Sequence, residues 1–264
     1  MFEARMAQAT VLKKVLEAVK DMVNEGNFDC SEEGICLQAM DVAHVSLVNV
    51  LLRGQGFEMF RCDRNLALGI QLANLSKVLN CAGKDDAVTI KAEDEGADTA
   101  EFMFESAKGD RITTFELTLM DIDSEHLGVP EDTTYTAVIK MPSTEFRRII
   151  SDLSTIGDTV TIEVSKDGAS FQVAGDIGKG NLCIQSNTSA DKPGDRVEIS
   201  MEEPTKQTYA MRYLTFFTKA APLSDSVTIS LSPDVPLVVE FNIGEEVGFV
   251  KYYLAPKITE ADLE

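Results

Sequence analysis

The sequence predicts an α+β protein of two similar halves, each a set of antiparallel strands covered on one face by two helices. Three observations carry that reading. An amphipathic helical template occurs four times at paired spacings, period-two strands fill the stretches between, and several segments repeat in the same order in each half. At 264 residues and 44% hydrophobic content, the chain holds enough apolar surface for two cores.

The first helix lies within residues 10–24, where Leu12, Val15, Leu16 and Val19 follow the i, i+3, i+4, i+7 rule. The second, within 72–83, repeats it as Leu75, Val78, Leu79 and Ala82. The third, within 143–154, uses Phe146, Ile149, Ile150 and Leu153, and the fourth, within 209–220, uses Tyr213, Phe216, Phe217 and Ala220. Copies one and two start 63 residues apart and copies three and four 67 apart, while the halves are offset by 134 and 138. "EEGICLQAMD" after the first helix matches "KDGASFQVAGD" after the third, and "DDAVTIKAE" after the second matches "SDSVTISLS" after the fourth. "RITTFELTL", "DTVTIEVSK", "PLVVEFNI" and "FVKYYLA" alternate apolar and polar residues as strands do. The stretch from Leu119 to Thr134, "LMDIDSEHLGVPEDTT", has neither period and is acid-rich with Gly128 and Pro130, so it reads as a connector. Its apolar Ile122, Leu127 and Val129 either pin it to the body or serve as contacts. Expected boundaries are 1–118, a connector 119–134, a second domain 135–256 and an acidic tail 257–264.

Several function classes find no support. The longest nearly apolar run, "VSLVNVLLR", is far short of the ~20 residues a membrane helix needs, and the N-terminus lacks the pattern of a secretory signal. Five scattered cysteines without a CxxC pair predict reduced thiols and no zinc site. There is no glycine-rich phosphate loop, GxSxG or HExxH, and the two histidines are His44 and His126. The Asp121 and Asp123 pair in "DID" reads as solvated charge. The expectation is a non-enzyme without cofactor or metal.

Charge is informative because it is uneven. The chain carries 44 acidic and 24 basic residues, a net charge of −20 that repels nucleic acid as a whole. Yet the four helical stretches sum to +4, leaving −24 elsewhere. Lys13, Lys14, Lys20, Lys77, Arg147, Arg148, Arg212 and Lys219 all fall on the polar side of the template. Singly each is ordinary solvated surface; together they make a positive strip able to hold a phosphate backbone without reading bases. Such contact is sequence-blind and salt-sensitive, which suits sliding. A half of this size has a width of ~36 Å. Six in a circle leave a hole of radius ~16 Å and four only ~5 Å, against a duplex radius of roughly 10 Å. A ring around duplex DNA therefore calls for three chains.

These stretches carry a resemblance as well. "LKKVLEAVKDMVNEG", "RCDRNLALGIQLANLSKVLNC", "FFTKAAPLS", "DVPLVVEF" and "KYYLAPKI" occur in the order in which they do in eukaryotic sliding clamps. Over essentially its whole length the sequence resembles that proliferating cell nuclear antigen family. The resemblance implies a pseudo-sixfold homotrimeric ring around double-stranded DNA, helices inside and sheets outside. It implies a nuclear processivity factor for DNA polymerases in replication, repair and translesion synthesis. The implied partners, besides DNA and self, are DNA polymerases, the clamp loader, flap endonuclease and DNA ligase, docking through a short interacting peptide (the PIP box); no membrane is implied.

Carried over by position, the resemblance assigns Lys13, Lys14, Lys20, Lys77, Arg148, Arg212 and Lys219 to the DNA-facing surface. Asn80 and Ser151 depart from it, standing where relatives often have arginine. It assigns the partner-peptide pocket to Met40, His44, Val45, Leu47, Leu127, Val129, Pro130, Pro236, Tyr253, Leu254, Ala255 and Pro256. It assigns subunit pairing to Arg111, Thr113, Phe115 and Leu117 on one edge with Asn181, Cys183 and Gln185 on the other, and ubiquitin attachment to Lys166. The connector is one residue longer than usual near Thr133 and Thr134, just before Tyr135. The alternative within the same fold is a subunit of a heterotrimeric checkpoint clamp; the complete "KYYLAPKI" and "HLGVP" stretches weigh against it.

Overall fold

In the computed structural model of the chain, the described residues are 1–93, 96, 98–123, 133–187, 196–233 and 235–258. The chain divides into two compact units: Met1–Val42, Val48–Leu127 and Ile243–Val250 in one; Ala43–Leu47, Gly128–Asn242 and Lys251–Glu264 in the other.

The first unit opens with β1 (Phe2–Met6) and α1 (Ala9–Val19), then β2 (Glu25–Ser31), β3 (Gly34–Met40), β4 (Ser46–Arg53), β5 (Met59–Cys62) and β6 (Leu66–Gln71). It continues with α2 (Leu72–Asn80), β7 (Ala87–Ala92), β8 (Thr99–Glu105) and β9 (Ile112–Thr118). One sheet runs β5-β1-β7-β8-β9 and the other β4-β3-β2-β6. The second unit repeats the plan with β10 (Ala137–Pro142), α3 (Ser143–Ser154), β11 (Thr159–Ser165), β12 (Gly168–Gly175), β13 (Gly178–Ile184), β14 (Glu198–Met201) and β15 (Thr205–Ala210). There follow α4 (Met211–Phe217), a 3-10 turn (Thr218–Leu223), β16 (Ser226–Leu231), β17 (Leu237–Gly244) and β18 (Gly248–Leu254). Its strand orders are β14-β10-β16-β17-β18 and β13-β12-β11-β15, the same two patterns of five and four strands.

The repeat extends to single hydrogen bonds. None of the four α-helix starts among the described residues carries a side-chain cap; each first N–H instead reaches a carbonyl at the head of another chain segment. Ala9 donates to Asp86 at 2.8 Å and Ser143 to Asp225 at 2.9 Å, each just ahead of a strand of the larger sheet. Leu72 donates to Asn24 and Met211 to Asp158, both at 2.9 Å. These bonds satisfy donors that a helix N-terminus otherwise leaves orphaned, and they fix where each helix leaves its sheet. The two matching hairpins, β2–β3 and β11–β12, each re-enter the sheet on a glycine with positive φ: Gly34 at +148° and Gly168 at +126°. A Cβ on Gly34 would lie 2.0 Å from the Leu52 carbonyl oxygen, and one on Gly168 2.2 Å from that of Ile184. Only glycine lets the neighbouring strand approach so closely.

Cores form where the helical stripes meet the sheets. In the first unit Leu12, Leu16, Leu75 and Leu79 close over Phe2, Leu37, Leu68, Ile90 and Phe102 around a cavity of about 50 Å³. In the second unit Phe217 stacks on Tyr252 with centroids 4.3 Å apart, and Phe241 meets Tyr252 edge-on at 6.3 Å. All five cysteines are free thiols, and burial pushes the Cys30 thiol well up.

The fourth helix differs from its expected span. It ends at Phe217, and Thr218–Leu223 tightens into a 3-10 turn containing Pro222, which has no N–H for an α-helical bond. The Thr215 and Thr218 hydroxyls bond back to the Met211 and Thr215 carbonyls and end the ladder there. Phe216 and Val78, both core positions of the template, are only half-buried.

Candidate nucleic-acid interface

Each unit presents one helix pair whose outer face carries the cations marked out by the sequence. On α1, Lys14 is exposed while Lys13 and Lys20 are half-buried; on α2, Lys77 is exposed. Arg147 and Arg148 are exposed on α3, as are Arg212 on α4 and Lys219 in the turn after it. Short, local contacts hold several of them. Lys20 Nζ lies 2.7 Å from Glu17 one turn back, and Arg148 lies 3.3 Å from Glu145. Arg212 stands over the Tyr213 ring, 4.5 Å from its centroid, and Lys219 sits 5.9 Å from the Phe216 centroid. Aromatic ring faces attract such cations. Lys13 also braces the surface it belongs to: its ammonium donates at 2.5 Å to the Ala82 carbonyl at the end of α2, joining the two helices. Asn80 and Ser151 are exposed within these surfaces. Arg147 contributes to the charge of its stretch but is not among the contacts that the resemblance assigns. It is exposed beside Arg148, on the flank of the apolar stripe, about 100° around the helix from Phe146.

The expected peptide pocket is built around two hydrogen bonds in the second unit. The Ala255 N–H donates to the Val45 carbonyl at 3.0 Å and the Ser46 hydroxyl to the Tyr253 carbonyl at 2.9 Å. These bring His44, Val45 and Leu47 beside Tyr253, Leu254, Ala255 and Pro256. His44 has φ +54°, the sole positive value at a non-glycine among the described residues; histidine tolerates this region better than most side chains. Leu47 and Leu254 are buried, 7% and 0% exposed, so they form the floor under the segment. His44, Ala255 and Pro236 are exposed; Val45, Tyr253 and Pro256 are half-exposed, as is Met40 at the end of β3. Leu127, Val129 and Pro130 lie outside the described residues. Two exposed aliphatic side chains, Val42 (83%) and Ile258 (78%), are not singled out by the sequence; nothing in their local spacing marks them.

The start of the connector is tied down. Met120 donates to the Gly69 carbonyl at 2.8 Å, and the Asn27 side-chain amide donates to the Ile122 carbonyl at 2.8 Å. A Cβ on Gly69 would lie 2.0 Å from the Met120 carbonyl oxygen, so this path needs that glycine.

The remaining expected positions lie on edges and turns. Arg111 directly precedes β9, whose outer edge is open in its sheet, and Thr113, Phe115 and Leu117 lie along that strand. Arg111 pairs with Asp86 at 3.0 Å. Thr113, Phe115 and Leu117 face the covered side, while Ile112, Thr114 and Glu116 face outward. On β13, the open edge of the other sheet type, Asn181 and Cys183 are exposed, as is Gln185 just past its end. Lys166 is exposed at the β11–β12 turn, beside a shallow depression of about 460 Å³ lined by Ser165, Gln185, Ile199 and Met201 among others.

Two like domains, each of antiparallel sheet backing a basic helix pair, define the class: a DNA sliding clamp. The N-terminal domain model of proliferating cell nuclear antigen matches residues 1–126, and its C-terminal domain model matches residues 128–257. The chain belongs to the proliferating cell nuclear antigen family, whose sliding clamps are non-catalytic scaffolds of replication and repair.

Proposed function

We propose that three copies of this chain close into a ring around duplex DNA, with the helix faces inward and the sheets outward. The observation that carries this reading is the concentration of cations on the helix pairs of a strongly acidic protein. Lys14, Lys20, Lys77, Arg148, Arg212 and Lys219, with Arg147, line the channel and hold phosphates without reading sequence, while the acidic body discourages binding elsewhere. Lys13 adds charge to that surface while bracing it. The domains are 1–118 and 135–256, joined by the connector 119–134 and followed by the tail 257–264.

Closure comes from pairing β9 of one copy with β13 of the next, through the Arg111–Leu117 and Asn181–Gln185 stretches. The open edges of both strands and the exposed Ile112 support it. The groove beside Val45 and Ala255, with Met40 and the connector residues Leu127, Val129 and Pro130, takes an apolar peptide turn from polymerases, the clamp loader, flap endonuclease or DNA ligase. The ring acts in the nucleus as a processivity factor rather than as an enzyme, and Lys166 is the ubiquitin acceptor. Homotrimer is preferred to a heterotrimeric checkpoint ring because both complementary edges belong to one chain. Light scattering decides this: a molar mass near 87 kDa, three times 28.9 kDa, supports the homotrimer, and a lone monomer at all concentrations contradicts it.

A further inference from the structure

On the outward face of the five-stranded sheet, one row of directly opposed residues crosses every strand: Arg61, Glu3, Lys91, Glu101 and Glu116. Charges in that row alternate until the last step. Lys91 Nζ lies 3.1 Å from Glu3, but Glu116, on the open edge, stands opposite Glu101. Like charges directly opposed across strands destabilise a sheet. Among the described residues neither Glu116 nor Lys179, the exposed cation of β13, has an ion-pair partner.

Backbone direction limits how two such edges meet. The Arg111 carbonyl accepts from Ser106 and the Leu119 N–H donates to Asp98, so the odd residues of β9 face β8. Ile112, Thr114, Glu116 and Thr118 then turn their N–H and C=O groups to the open edge. On β13, the turn at Asp176 and Ile177 makes Gly175 and Gly178 the closing pair; Lys179, Asn181 and Cys183 therefore face the open edge. Two antiparallel registers match these directions and keep six residue pairs. One sets Glu116 opposite Lys179 and Phe115 opposite Gly180. The other sets Glu116 opposite the neutral Asn181 and Phe115 opposite Leu182.

We infer that the first register joins neighbouring copies and that Glu116 with Lys179 of the next copy selects it. This completes the charge row with the cation it lacks. It also lays the half-exposed Phe115 ring over Gly180, where a Cβ would come within 2.8 Å of the Ile156 side chain and 3.1 Å of Val173. An aromatic covering a glycine on the neighbouring strand is a recognised way to pin register. The inference rests on the edge-to-edge assembly proposed above and adds the pair that fixes its alignment.

The test is charge reversal in the full chain, read by sedimentation across a dilution series at low and high salt, with thermal melts to confirm folding. Glu116→Lys and Lys179→Glu should each weaken assembly by roughly threefold to tenfold per interface at low salt, and combining them should restore it. Single reversals without effect, or a double variant no better than the singles, overturn the register. An unmodified chain that stays monomeric throughout overturns the assembly itself, and the inference with it.

Discussion

The ammonium of Lys13 and the carbonyl of Ala82, 2.5 Å apart, join the middle of α1 to the end of α2. A cation on the proposed nucleic-acid face thereby braces that face. Lys13→Ala should cost about 1–2 kcal/mol of stability through the lost charged hydrogen bond. Lys77→Ala, at an exposed position, should stay within ~0.5 kcal/mol. In DNA binding the expectation reverses: Lys77→Ala lowers the slope of log affinity against log salt by roughly one. Thermal melts and salt titrations of the two variants separate the roles.

Gly34 and Gly168 hold equivalent places in the two units, each under a neighbouring strand's carbonyl. Alanine at either must move backbone, so each substitution should destabilise by more than ~1 kcal/mol. Equal losses from Gly34→Ala and Gly168→Ala in chemical denaturation would reflect the repeat. A cost at only one position would mean that the two hairpins are not equivalent.

Burial raises the phenol pKa of both Tyr209 and Tyr252. A group that keeps its proton longer when folded contributes stability that is fully present below its unfolded pKa of ~10 and is lost as pH rises above it. Alkaline titration should therefore show these two tyrosinates appearing together with unfolding. Tyr252→Phe should make stability less steeply dependent on pH in that range.

His44 carries its positive φ next to the exposed residues of the proposed peptide groove. His44→Gly removes the imidazole while easing the backbone, so stability should hold or rise slightly. Weaker binding of an interacting peptide in calorimetry would then report a side-chain contact; unchanged affinity would remove His44 from the groove.

Much of this architecture was legible because its signals are periodic. The four apolar stripes located all four α-helices among the described residues, and the span of the third, Ser143–Ser154, coincides with its template. The match between "EEGICLQAMD" and "KDGASFQVAGD" reflects two hairpins that turn on Gly34 and Gly168. What escaped depends on tertiary context. Nothing local says that Lys13 reaches Ala82, sixty-nine residues away, or that Leu254 is floor while Ile258 is surface. The early end of α4 depends on hydroxyl-to-carbonyl bonds that compete with the ladder, and apolar spacing is blind to them. The direction of Glu116 was readable from strand alternation, but its like-charged neighbour Glu101 emerges only once β8 and β9 are in register.

The central claim is topological: the chain binds DNA by surrounding it. The most direct measurement loads the protein on closed circular duplex, washes at high salt, and then cuts the circle at one site. The account predicts retention on the closed circle, prompt release after cutting, and loss of retention in the combined Lys20→Glu, Lys77→Glu and Lys219→Glu variant. Salt-labile binding that is the same on circular and linear DNA would contradict it.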